Sequence, residues 1–154
     1  MKHSPLQLVR YLVTDVACTA DPQFDPQKEI VGAMEQFSIE SKASPFENPK
    51  NDPAHPWSVE LTVSQKVKEG QNIPYEFRIA LVGVFACRNE APVDERETRF
   101  VRVNGSSMLY GIAREHIRAL TAAGPWGAII LPTMSFYDNK ELPKKEEAPA
   151  QKAE

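Results

Sequence analysis

The feature that most narrows the fold is an alternation beginning at Trp57. Trp57, Val59, Leu61 and Val63 are apolar and Val67 rejoins them, while Ser58, Glu60, Thr62, Ser64 and Lys66 are polar. A period of two marks a strand with one dry and one wet face, because successive side chains leave opposite sides of the pleat. Lys68-Glu69-Gly70-Gln71-Asn72 supplies a turn in which Gly70 can take a positive φ. The return run sets Tyr75, Phe77, Ile79, Leu81 and Phe85 on one face. Glu76 and Arg78 alternate with them at first, but Ala80, Val82 and Val84 make the far end apolar on both faces, so something is expected to pack on its second face. Pro74, which cannot donate to a ladder, fits only the strand start or an edge.

Two further strands follow from composition. Residues 6–17 are rich in β-formers (Leu8, Val9, Tyr11, Leu12, Val13, Val16) with little helical periodicity, and 34–43 alternate Phe37 and Ile39 with Gln36, Ser38 and Glu40. Asp21-Pro22 and Asp25-Pro26 make 19–29 a loop, and Pro45, Pro49, Pro53 and Pro56 break 44–56 into an irregular connection. The helical signal comes late. Met108 or Leu109, Ile112, Ala113, His116, Ile117 and Leu120 repeat at three and four, with Asn104, Ser106 or Ser107 as caps and Gly124-Pro125 as the stop. A shorter helix is expected within 93–103, opened by a solvated Asp94-Glu95-Arg96-Glu97. Residues 139–154 are Lys/Glu/Pro/Ala-rich and read as a disordered tail whose charges cancel, leaving one domain over 1–138.

Composition removes several functional classes. A formal charge of −3 argues against a nucleic-acid partner, which needs a basic face for phosphates. The apolar run 128–131 is far shorter than the roughly 20 residues of a spanning helix, and the first ten residues lack a signal sequence, so a cytoplasmic protein without membrane insertion is expected. Cys18 and Cys87 are isolated thiols, read as small, partly buried side chains. His3, His55 and His116 have no metal-ligand spacing, Ser106-Ser107 sits in no nucleophile elbow, and Gly105 and Gly111 form no phosphate loop. The expectation is therefore no catalytic residue, no metal and no cofactor. One feature is left over. Phe24, Phe46, Trp126, Phe136 and Tyr137 fall beside prolines or glycines, outside the alternating strands. Each alone reads as a plug at a core edge; together they suggest an apolar surface suited to extended chains.

Three stretches resemble the SecB family of protein-export chaperones. Residues 6–16, with Arg10 and Asp15-Val16, are similar to that family's first strand, and 57–85, closing on Gly83-Val84-Phe85, to its long hairpin. The most specific stretch is Leu109-Tyr110-Gly111-Ile112-Ala113-Arg114-Glu115, then Gly124-Pro125-Trp126 and Leu131-Pro132-Thr133-Met134-Ser135-Phe136. The resemblance spans about 6–138 and implies an α+β fold: a four-stranded antiparallel β-sheet with one long and one or more short helices packed on one face. It further implies dimers joined into a homotetramer, with apolar grooves for unfolded clients lined here by Phe24, Phe46, Trp126 and Phe136. Hand-over to the SecA motor would use acidic residues on the sheet, one of which matches Asp15. Two other acidic positions of that surface fall at Thr19 and Arg78, and most of the family's last helix is replaced by the charged tail.

The function so implied is that of an ATP-independent molecular chaperone, a holdase for unfolded or precursor proteins in protein export and translocation. The changed docking surface motivates an alternative, a dedicated chaperone for a single partner such as an antitoxin. An enzyme or small-ligand protein is the weakest reading, since no site is legible.

Overall fold

The structure is a computed structural model and describes residues 3–31, 36–48, 52–89 and 92–137. Four strands, β1 (Leu6–Ala20), β2 (Phe37–Pro45), β3 (Ala54–Gln65) and β4 (Tyr75–Arg88), precede one helix, α1 (Glu95–Ala122). The sheet order is β1-β4-β3-β2, with every neighbouring pair antiparallel. The expected hairpin is the centre of the sheet, in a register that sets Leu61 opposite Leu81 and Trp57 opposite Phe85. Its dry face is the core. Trp57, Val59, Leu61, Val63, Phe77, Ile79, Leu81 and Phe85 are buried beneath Val101, Leu109, Ala113 and Ile117 of α1. Each large apolar side chain so buried contributes roughly 1.5–3 kcal/mol over an exposed one.

Gly70 takes φ +81 in the hairpin turn. Two residues on, the Asn72 amide donates to the carbonyls of Asp25, Lys28 and Glu29, and its oxygen accepts from the Asp25 N–H. One side chain thus ties the β1–β2 loop to the hairpin.

Several expectations need correction. The two expected helices are one, capped by Asp94, whose carboxylate accepts from the Glu97 N–H; Asn104, Ser106 and Ser107 are not caps. Asn104 and Ser107 lie mid-helix and donate to the carbonyls four residues back, Phe100 and Val103, which removes their incentive to end the helix. Gly105 continues the helix because α1 crosses the sheet there: a Cβ would sit 2.9 Å from Val59 Cγ2. Glu97, expected in solvent, is buried at 5% exposure. β1 runs on to Ala20, β2 is Phe37–Pro45, and β3 starts at Ala54 and includes Pro56. Pro56 is tolerated because its missing N–H faces the β2 side just where that strand has ended, while its carbonyl accepts from Phe46. Ala80, Val82 and Val84 are only half-buried, and no helix or strand among the described residues lies over them. The expected tail, 139–154, lies outside the described residues.

After α1 the chain returns along the helix. Gly124 fits directly against Tyr75, whose hydroxyl would lie 2.5 Å from an added Cβ. That hydroxyl donates to the Thr121 carbonyl and accepts from the Trp126 N–H. The Thr121 hydroxyl then accepts from Ile129 N–H, and the Tyr110 hydroxyl donates to the Pro132 carbonyl. Leu131 is buried beneath.

Candidate polypeptide-binding surface

The two flanks of α1 are treated differently. Tyr110 and Thr121 share one flank, which the returning segment covers. Met108, Ile112, Glu115, His116 and Ala119 share the other by three- and four-residue spacing. With Tyr11 of β1 they line an open crevice of about 540 Å³. The Tyr11 ring meets His116 edge-on at 6.3 Å. The apolar stripe read from the sequence is therefore two adjoining stripes. Leu109, Ala113 and Ile117 are buried on the sheet, whereas Met108 and Leu120 are exposed beside the crevice.

β1 continues this band. Tyr11, Val13 and Val16 pair with Gly83, Leu81 and Ile79 and so face the helix side, with Leu12 opposite Val82 on the other. Yet Val9 is 64% and Leu12 54% exposed, and Tyr11, Val13 and Val16 are exposed too; along β1 only Leu6 is buried. Register shifts at Leu8/Arg10 and Val13/Asp15 bend the strand. β1 ends the sheet order, so one row of its backbone groups has no ladder partner among the described residues. Arg10 and Asp15 are the only charged side chains along it. Protein edges are ordinarily guarded by charge, proline, bulges or a covering element; this one has two register shifts and two charges, and no helix or strand among the described residues covers it.

The residues marked by the sequence do not form one trough. Phe24 packs edge-on against Trp126 at 5.4 Å, and the indole N–H donates to the Asp21 carbonyl. Phe136 lies edge-on to Tyr110 at 5.8 Å, further along the helix. Phe46 stands 49% exposed beyond the end of β2, on the side of the sheet away from β1. Asp15 accepts from Arg78 Nε at 2.8 Å across β1 and β4, a half-exposed ion pair that neutralises the expected docking charge. The β1–α1 band was missed. Its signal was present in apolar residues at both parities between Leu6 and Val16, which an edge strand cannot bury on both sides.

The one buried carboxylate among the described residues lies elsewhere, at the start of α1. Glu97 accepts from Trp57 Nε1 at 2.8 Å, Asn89 Nδ2 at 2.8 Å and His55 Nδ1 at 2.9 Å. Burial alone raises a carboxyl pKa, but hydrogen bonds from Asn89, Trp57 and His55, with the charge of His55, outweigh it and hold Glu97 below the ordinary range. An ionised carboxylate only accepts, so His55 carries its proton on Nδ1. Burial and then the Glu97 charge push the neighbouring Cys87 thiol to about 11, far from a reactive thiolate. Among the described residues no group of three or more His, Cys, Asp or Glu side chains could hold a metal ion. No described helix is long and apolar enough to cross a membrane.

No protein-family model matches the chain, and no curated protein sequence does. Solved structures do. The SecB-like chaperone Rv1957 of Mycobacterium tuberculosis, solved in complex with a ChAD peptide from the Rv1956 HigA1 antitoxin, superposes with a TM-score of 0.57. The fold is SecB-like. That match covers 84% of this chain and 91% of Rv1957 at 14% identity. A protein of unknown function from Streptococcus agalactiae is similar at a TM-score of 0.58 and 12% identity, over 82% of this chain and 96% of its own. What is shared is the SecB-like sheet carrying one long helix on one face.

Proposed function

We propose that this chain is an ATP-independent, non-enzymatic holdase that binds unfolded polypeptides in the cytoplasm as a homo-oligomer. The observation that carries the reading is the uncovered apolar band of β1 and α1 on a fold shared with a peptide-binding chaperone. A well-packed sheet–helix layer has no structural need for such a band, and surfaces of this kind serve association. The free edge of β1 suits a second copy. Antiparallel pairing about Leu12 would set Tyr11 opposite the second copy's Val13, both on the helix side. A dimer of this kind, alone or doubled into a tetramer, covers the β1 edge and leaves clients the Met108, Ile112 and His116 flank of α1 in the same band, with the Phe24–Trp126 pair, Phe136 beside Tyr110, and Phe46 as further aromatic contacts. Several weak sites along one extended client sum to useful affinity without motif recognition.

The test is suppression of aggregation. Purified protein in stoichiometric excess is expected to keep several unrelated unfolded proteins from scattering light, without nucleotide. Failure with all of them sinks the proposal. A second reading, a dedicated chaperone for one partner, is favoured by the Asp15–Arg78 pair, which neutralises the one carboxylate matched to a SecA-type docking position. Pull-down with SecA separates the two: firm binding favours the export role, and none favours the dedicated one.

A further inference from the structure

The crevice between β1 and α1 contains one group whose charge changes near neutral pH. Its open volume of about 540 Å³ is walled by Met108, Gly111, Ile112 and Ala119, with Tyr11, Glu115 and His116 as the polar members. A phenol ordinarily ionises at about 10 and a carboxyl at about 4, so between about pH 5 and 8 only an imidazole responds.

The carboxylate of the crevice is already engaged. Glu115 accepts from Arg118 Nη2 at 2.6 Å and from Nε at 2.9 Å, and this fork, with the charges of Arg118 and His116, holds its carboxyl below the ordinary range. His116 is not engaged. It is half-buried, its ring meets Tyr11 edge-on, and neither ring nitrogen has a hydrogen bond among the described residues. The Glu115 charge favours an imidazolium while the crevice is wet, but Glu115 is exposed and shared with Arg118. From β1 the ring faces Tyr11; Arg10 and Asp15 pair with Val84 and Ala80 and so belong to the far side of the sheet. On the near side β4 presents Gly83 and Leu81, and Arg114 lies beside Tyr110 on the other flank of α1.

A neutral imidazole can be covered by a hydrocarbon side chain at little cost, whereas a covered imidazolium keeps its charge without its water. We propose that His116 is a proton gate on this client site: neutral, it admits an apolar side chain of the client to the crevice, and protonated, it releases it. This rests on the holdase reading and adds its regulation. The empty chain takes up the proton more readily than the occupied one. Affinity is therefore complete above the range in which imidazole titrates and falls as pH drops through it. One excluded proton limits the loss to about tenfold per pH unit.

The experiment is fluorescence anisotropy of the full chain with a peptide alternating leucine and serine, blocked at both ends and carrying a pH-insensitive label. Between pH 7.5 and 5.5 the wild type is expected to lose about tenfold in affinity. His116→Leu is expected to bind as tightly at pH 5.5 as at pH 7.5, and His116→Lys weakly at both, each with an unchanged circular dichroism spectrum. His3 and His55 remain in both variants, so any dependence that they cause survives in His116→Leu. Wild-type binding indifferent to pH, or a dependence that survives in His116→Leu, overturns the gate. So does a solution mass that falls at pH 5.5 in the wild type alone, which would make a second copy the occupant. Aggregation suppression is measured in parallel at pH 7.5. If it persists while peptide binding ignores pH, only the gate fails; if neither suppression nor peptide binding occurs, the holdase reading falls too.

Discussion

At the scale of single residues the molecule turns on Glu97. Its carboxylate joins the first turn of α1 to His55 and Trp57 of β3 and to Asn89 beyond β4. Glu97→Ala leaves three buried or half-buried donors without an acceptor and is expected to cost about 3 kcal/mol in urea unfolding. Glu97→Gln, which keeps one acceptor, is expected to cost less. The pH dependence has a definite sign. The folded carboxyl titrates below its ordinary value of 4.5, so the unfolded chain takes up the proton first. Its stabilising contribution is complete above that value and is lost as pH falls through it towards the folded pKa. Urea midpoints measured across this window should fall in the wild type and flatten in Glu97→Gln. None of this was legible in Asp94-Glu95-Arg96-Glu97, which reads as a solvated helix start. Burial of a carboxylate depends on donors that the fold brings from 40 residues away in the case of Trp57. Trp57 itself was legible, because its place in a period-two run dictates a dry face whatever it later bonds.

Among the elements, the central hairpin was the most legible and the helix the least. Alternation fixed the inner faces of β3 and β4, and the structure buries the residues so assigned. The sequence splits the helix in two because Gly105, Ser106 and Ser107 look like a boundary, and local composition carries no information about the Val59 side chain that would stand 2.9 Å from a Cβ at Gly105. Gly105→Ala tests which factor governs. Helix propensity alone would stabilise the substitution by roughly 1 kcal/mol. Overpacking against Val59 and Phe85 costs roughly 1–3 kcal/mol. The expected outcome is a net loss of about 1 kcal/mol, read as a lower thermal midpoint; a gain would mean that α1 can lift off the sheet freely.

For the whole molecule the open question is what covers β1. A strand exposed on both faces and along one edge, with two charges in 15 residues, fits an assembled state better than an isolated one. Light scattering is expected to give a multiple of the 17.3 kDa chain mass. Tyr11→Glu/Val13→Glu is expected to return it to the single-chain value while leaving the circular dichroism spectrum in place, since both side chains are already exposed. A wild-type mass of one chain would refute the assembly.

The pairing of β1 also orders events during synthesis. Its ladder partner is β4, with Ala20 opposite Tyr75 and Leu6 opposite Cys87, so each residue's mate leaves the ribosome about 55 to 81 residues later. Until then this largely apolar strand is a stretched, unpaired segment of the kind that holdases shelter. Such long-range closure slows folding. If the protein is the holdase proposed above, each newborn copy resembles a guest of the finished ones during its own translation.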